Sequence, residues 1–296
     1  MRETLFVSFN LGEKRLSTTR TLLAKTGLAE VAELCQEGDF SPGYCSVTVA
    51  AGDPRIEELK EELAKIGESV SIRLDREYTE REIDQYPWLR LMIITAGLLG
   101  GANYQQPYDR STACRTCGAG AEPVGALIAQ LSRMGRKQID CTAHDGHMVV
   151  TAELAEAVRE AGLTGICVMP VRRNHKQDPD PEYAWLKVVS EWPAMLPTRV
   201  LDTEDLCPDC GRTGHFDPYD RAAEWRYRKA PKTARDFNHT WERFGVWKGG
   251  AFSRDRPPVG GSAGIIVSQR VRRVFKLAGV RRIRYDPVYV EEISGS

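Results

Sequence analysis

Long apolar runs are missing from this chain. The longest, Leu91 to Ala102, covers about a dozen of its 296 residues, against the roughly 18 that a membrane-crossing helix needs. The first ten residues, Met-Arg-Glu-Thr-Leu-Phe-Val-Ser-Phe-Asn, hold no apolar stretch of signal-peptide length and no lipidation motif. Net charge is missing as well, with 41 Lys and Arg against 41 Asp and Glu, so no single-sign field covers the surface. The asymmetry that exists runs end to end: 12 basic and 17 acidic residues in 1–100, 18 and 13 in 201–296. Histidine is scarce at five, which leaves general acid–base catalysis little to draw on. No His-X-Glu triplet precedes a Cys-X-X-Cys pair, which excludes a zinc deaminase. The expectation is a non-enzymatic, cytoplasmic protein without a membrane segment, whose eight cysteines serve as thiols or metal ligands rather than disulfides.

The cysteines carry the clearest pattern. Cys114-Arg-Thr-Cys117-Gly118 recurs as Cys207-Pro-Asp-Cys210-Gly211. Two residues between cysteines let both sulfurs face one tetrahedral ion, and the glycine allows the tight turn that aims backbone N–H groups at those sulfurs. A redox dithiol of the thioredoxin kind follows a strand and opens a helix, whereas these motifs run on as the glycine-rich Gly118-Ala-Gly120 and Gly211-Arg-Thr-Gly214. Two half-sites supply four thiolates, the closed set of a structural zinc centre with no position open to substrate. The expected ligands are Cys114, Cys117, Cys207 and Cys210. A rival pairs Cys114 and Cys117 with Cys141 and His144, leaving Cys207 and Cys210 to His215 and His239. The four-cysteine set is preferred because only the Cys-X-X-Cys-Gly pairs recur in both copies.

The fold expected is mixed α/β, of the α+β class. Residues 1–110 read as an N-terminal α/β region: strands at 4–10, 44–51 and 69–74, helical spacing from Ser17 to Leu34, and a helix after Asp53-Pro54 with Ile56, Leu59, Leu63 and Ile66 on one face. Thr79 with Glu82 spells a capping box, and Leu89 to Thr95 reads as buried. Beyond the first cysteine pair the chain repeats itself. Gly146 to Val171 lies over Ala263 to Val288 at a constant offset of 117, matching Thr151 to Ser268, Gly162 to Gly279 and Pro170 to Pro287. The unit is strand, hydroxyl N-cap, helix, glycine C-cap, strand. The cysteine motifs are offset by 93, so the second copy carries 24 extra residues, placed among Arg221 to Gly261. The repeats are expected at 111–172 and 182–296, with Lys248 to Gly264 a long surface loop.

Two kinds of partner suit this pattern. Arg270, Arg272, Arg273, Lys276, Arg281, Arg282 and Arg284 make the last helix and strand basic, as in a zinc-ribbon nucleic-acid binder. Trp225, Trp241 and Trp247 are the candidate contacts for a protein partner, because exposed aromatic and arginine side chains dominate binding hot spots.

The two Cys-X-X-Cys-Gly motifs, together with the terminal Ile-Val-Ser-Gln-Arg-Val and Leu-Ala-Gly-Val-Arg-Arg-Ile-Arg-Tyr-Asp-Pro-Val segments, resemble the double-CXXCG motif proteins of myxobacteria. That family includes immunity proteins that protect cells from swarm-inhibition toxins delivered by kin. The resemblance covers about residues 110 to 290. It implies a cytoplasmic, non-enzymatic protein that neutralises a cognate protein toxin, with Cys114, Cys117, Cys207 and Cys210 as the paired motif cysteines. The chain departs from the family pattern in carrying about a hundred residues ahead of the first motif.

Overall fold

The structure, a computed structural model, describes residues 1–12, 15–34, 44–94, 97–101, 106–143, 145–174, 178–197, 206–212, 224–244 and 262–291. It is a mixed α+β fold in two units, one ending at Thr79 and the other beginning at Glu80. The expected boundary near residue 110 therefore moves upstream by about thirty residues.

The first unit runs β1 (Arg2–Asn10), α1 (Leu16–Lys25), β2 (Ala32–Leu34), β3 (Tyr44–Ala50), α2 (Arg55–Lys65) and β4 (Ser71–Glu77). Its sheet order is β2-β3-β1-β4 with every pairing antiparallel, the split βαβ arrangement of ferredoxin-like folds. Alternation builds it: Val7 and Phe9 of β1 and Cys45, Val47 and Val49 of β3 share a core with Leu22 and Leu23 of α1 and Ile56, Leu59 and Leu63 of α2. Each fully buried aliphatic side chain contributes roughly 1.5–3 kcal/mol. Helical spacing continues through Leu28, Val31 and Leu34, yet α1 stops at Lys25. Gly27 takes φ +66, which leaves the helix, and Ala32–Leu34 pairs with β3 as a strand.

The second unit holds two five-stranded sheets of one design. The first contains β8 (Leu127–Ile128), β9 (Ile139–Cys141), β10 (Met148–Thr151), β11 (Ile166–Arg172) and β12 (Tyr183–Val188), in the order β8-β11-β12-β10-β9. The second contains β5 (Trp88–Ile93), β13 (Trp225–Tyr227), β14 (Phe237–Phe244), β15 (Ser262–Ser268) and β16 (Ile283–Val290), in the order β13-β16-β5-β15-β14. Helices α4 (Ala152–Glu160) and α5 (Gln269–Leu277) make the crossovers β10-α4-β11 and β15-α5-β16. The pairings of β8 with β11 and of β13 with β16 are parallel, and the others in both sheets antiparallel. A short helix α3 (Glu80–Ile83) and the ladder of β6 (Tyr108–Asp109) with β7 (Glu122–Pro123) complete the unit.

The central strand of each sheet explains the displaced boundary. In the first sheet it is β12, which follows the repeat's crossover; in the second it is β5, which precedes the first cysteine motif by some twenty residues. The second repeat thus takes its middle strand from the segment read as the end of the N-terminal region. Each middle strand then leaves its own sheet for the rim of the other. Leu98, beyond β5, bridges to Thr142 beside β9, and Glu191, beyond β12, bridges to His239 of β14.

The helices are tied in the same reciprocal way. Gln138 Nε2 donates to the carbonyl of Ala278 at the end of α5 at 2.7 Å, and an Arg270 guanidinium N–H donates to that of Ala161 at the end of α4 at 2.8 Å. Both satisfy carbonyls that a helix end leaves without partners. Only α4 has the hydroxyl cap expected of both helices. Thr151 Oγ1 accepts from Leu154 N, whereas Ser268 turns its hydroxyl to Asp236 at 2.7 Å. Among the described residues, no helix is long and apolar enough to cross a membrane.

Register places the extra residues of the second copy. The offset of 93 at the cysteines becomes 98 where Leu127 and Trp225 hold equivalent places on β11 and β16, and 117 from β10 and β15 onward. Five extra residues therefore precede β13 and nineteen lie between β9/β14 and β10/β15. Ser262 to Gly264, expected in a loop, are the first residues of β15; 248–261 lie outside the described residues.

Candidate metal centre

Each motif folds into the same knuckle. Gly118 N donates to Cys114 O and Gly211 N to Cys207 O, both at 2.8 Å. Cys114 N returns to Ala119 O at 2.8 Å and Cys207 N to Arg212 O at 2.9 Å. The closing glycines take φ +73 and +69, the left-handed region that a residue with a Cβ enters only under strain. This turn aims backbone N–H groups at sulfur, as the motif requires. The Cys117 N–H pointing at its sulfur is the main force that holds the Cys114 thiol down at about 7, against burial that opposes it. At Cys117 and Cys210 burial prevails and raises the thiol, opposed by the N–H groups of Ala119 and Arg212 respectively.

The two knuckles meet face to face. Cys114 Sγ lies 3.6 Å from Cys207 Sγ, and Cys117 Sγ lies 3.6 Å from Cys210 Sγ. Between them the Thr116 hydroxyl donates to the Asp209 carboxylate. Every one of these contacts joins a residue to its own counterpart 93 positions on, the signature of a local twofold axis. All four sulfurs lie within 4.8 Å of one another, a group able to hold a metal ion. The edge of a tetrahedron with sulfur 2.3 Å from its centre is about 3.8 Å, so the observed pairs stand at ligand spacing. Cys117, Ala119 and Cys207 form a small buried cluster with Cys114 and Cys210 packed against it.

The rival ligand sets fare differently. Cys141 ends β9 and His239 lies in β14, at equivalent places opposite Met148 and Ile265. Neither belongs to the four-sulfur group, and His144 and His215 lie outside the described residues.

The tryptophans separate by environment. Trp225 is a correction: it is 2% exposed, stacked on Phe244 with ring centroids 5.5 Å apart, and belongs to the core with Trp192, Tyr227 and Ile266. It therefore offers no contact surface in the folded chain. Trp241 is half-buried beside the second knuckle, with the Arg212 guanidinium 5.1 Å from its ring centroid. Trp247 lies outside the described residues.

No protein-family model matches this chain, and no curated protein does.

A second feature of the same unit is a cleft lined by Tyr108, Asp145, His147, Trp185, His239 and Ser262, among others. The Tyr108 hydroxyl donates to Asp145 Oδ2 at 2.5 Å, and His147 Nε2 stands 3.9 Å from the same oxygen, buried and with no hydrogen-bond partner among the described residues. Ser262 lies in Gly260-Gly261-Ser262-Ala263-Gly264, which spells Gly-X-Ser-X-Gly. That motif acts as a nucleophile elbow on a strand-to-helix turn, and here its serine opens a strand.

Proposed function

We propose that the four-cysteine centre takes zinc in a structural role, and that the protein is a non-enzymatic binding protein which neutralises a protein toxin. The observation that carries this reading is the convergence of four sulfurs from two knuckles at tetrahedral spacing. Thiolate donors select zinc among the common divalent ions, and four of them complete its shell. A closed shell supplies rigidity and no substrate position. Such a centre contributes on the order of 10 kcal/mol to folding, as much as the whole stability of a typical domain. The four sulfurs come from both knuckles, so that contribution would act between the two repeats. The resemblance to the double-CXXCG immunity proteins supplies the toxin as partner, and Trp241 with Arg212 beside the second knuckle is the aromatic and arginine pair best suited to meet it.

A nucleic-acid role is the lesser reading, because four of the seven basic residues of the last helix and strand are held in ion pairs. Arg272 pairs with Glu80 and Asp84, Lys276 with Glu80, Arg270 with Asp236, and Arg284 with Asp286. The test is co-expression with the product of the adjacent gene, together with gel shift across a salt series. Restored growth and no shift supports the immunity reading. A shift that weakens steeply with added salt, with no rescue of growth, overturns it in favour of nucleic acid.

A further inference from the structure

We propose that the four-cysteine centre is also a site of reversible oxidation, in which disulfides form across the local twofold axis, Cys114 with Cys207 and Cys117 with Cys210. The inference rests on the tetrathiolate reading of that centre and adds its regulation. A centre bound by thiolates has two ways to be lost. Removal of the ion alone frees the knuckles, whereas oxidation releases the ion and leaves the knuckles joined.

Two observations choose this pairing, and a third suits it to oxidation. Two sulfur–sulfur contacts, both at 3.6 Å, join different knuckles. A disulfide needs about 2.05 Å, so each sulfur has to move by less than about 1 Å. Each pair joins one partly buried cysteine to one buried cysteine: Cys114 to Cys207, and Cys210 to Cys117. An accessible thiolate beside a resolving thiol is the arrangement of redox-sensing cysteines. Finally, Thr116 and Asp209 join the knuckles through a contact that does not involve the sulfurs, which adds to the alignment of the facing pairs in the intact centre.

The oxidant is a hydroperoxide, hydrogen peroxide being the simplest. The less buried thiolate of the pair attacks one peroxide oxygen, the O–O bond breaks, and a sulfenic acid forms as hydroxide leaves. The facing thiolate then attacks that sulfur, the S–O bond breaks, and a second hydroxide departs as the S–S bond closes. Each disulfide consumes one peroxide and gives up two electrons, and two protons from solvent turn the hydroxides into water. Two rounds convert four thiolates to two disulfides and release the metal dication. A dithiol reductant reverses the change by exchange.

The chain itself supplies the assay. Trypsin cuts after Arg110, Arg115, Arg133, Arg199 and Arg212, so Cys114 lies in 111–115, Cys117 in 116–133, and Cys207 with Cys210 in 200–212. The zinc-loaded full chain is treated with two equivalents of hydrogen peroxide, zinc release is followed with a chromogenic chelator, and the unreduced digest is mapped by mass spectrometry. The expected product is a single species joining all three peptides, with fragmentation placing Cys114 on Cys207 and Cys117 on Cys210. Dithiothreitol should restore the three separate peptides and the capacity to bind zinc. Peptide 111–115 joined to 116–133 alone, with an internal disulfide in 200–212, would overturn the proposal, as would sulfinic or sulfonic acids without disulfides. A chain that joins all three peptides but yields no zinc before or after oxidation would overturn the metal reading and leave the pairing standing.

Discussion

Cys114 and Cys207 are 93 residues apart in sequence and 3.6 Å apart at their sulfurs, and the residues around them repeat the same self-matching. A contact between a residue and its own counterpart arises where two copies meet about a twofold axis. Here the copies are joined in one chain, and the ligand set lies on the axis. Neither knuckle completes a site alone.

Loss of one sulfur should therefore disable both halves. Each of Cys114→Ser, Cys117→Ser, Cys207→Ser and Cys210→Ser should lower zinc content and cost on the order of several kcal/mol of the centre's contribution. Cys141→Ser, at the end of β9, should leave zinc content unchanged. Metal analysis with thermal denaturation decides between the shared site and the rival that uses Cys141.

Chelation should act on one unit more than the other. All six tryptophans lie beyond Glu80, so tryptophan fluorescence and the near-ultraviolet circular dichroism of indole report on the second unit alone. Exhaustive chelation should collapse these signals, while the first unit retains its own core of Val7, Phe9, Leu59 and their neighbours. An unchanged near-ultraviolet spectrum would mean that the centre is not holding that unit together.

Trp225 and Trp241 should part company on substitution. Trp225→Ala removes a buried ring and should cost about 3–5 kcal/mol, read as a drop in denaturation midpoint. Trp241→Ala, at a half-buried ring beneath Arg212, should cost no more than about 1 kcal/mol and, if the proposed toxin-neutralising role holds, should weaken protection at unchanged expression. Gly264→Ala belongs with the first kind. A Cβ there would stand 2.1 Å from Trp225 and 2.7 Å from Phe244, so overpacking of about 1–3 kcal/mol is expected.

Stability should fall on mild acidification. Burial pushes the His239 imidazole down to about 3 from 6.5, with the charges of Arg243 and His147 acting in the same direction. Burial lowers His147 too, against the pull of Asp145. Because the folded values lie below the unfolded one, protons taken up between pH 6.5 and about 3 bind the unfolded chain preferentially. Stability is then level above pH 7 and falls with decreasing pH by at most about 1.4 kcal/mol per unit for each such group. His239→Gln should reduce the loss between pH 7.5 and 5.5 in urea titrations. Acid release of metal would affect both proteins alike, so the difference isolates the histidine.

The knuckles were legible from sequence because their chemistry is local. Two cysteines, their spacing and the following glycine specify the turn, and Gly118 and Gly211 show why glycine is needed there. The repeat at offset 117 was legible through periodicity in its helices, down to the buried Leu154, Val158, Val271 and Phe275. The role of β5 was not, because exchange of a middle strand is decided by long-range pairing. A trace exists in Tyr86-Pro-Trp-Leu-Arg-Leu and Tyr183-Ala-Trp-Leu-Lys-Val at an offset of 97. The sheets pair these strands at an offset of 95, as Leu91 and Leu186 show opposite Ile265 and Met148, two residues away from the sequence match but on the same face. The burial of Trp225 was not legible for a different reason: an aromatic residue suits a contact surface and a core equally well, and only the pairing of β13, which alternates buried, half-buried, buried, turns it inward.

The most direct measurement is the metal content and coordination of the purified chain, by elemental analysis and X-ray absorption at the metal edge. One zinc per chain with four sulfur neighbours at about 2.3 Å is expected. Two ions per chain, or a shell that mixes nitrogen with sulfur, would show that each knuckle has its own site and would contradict the shared centre.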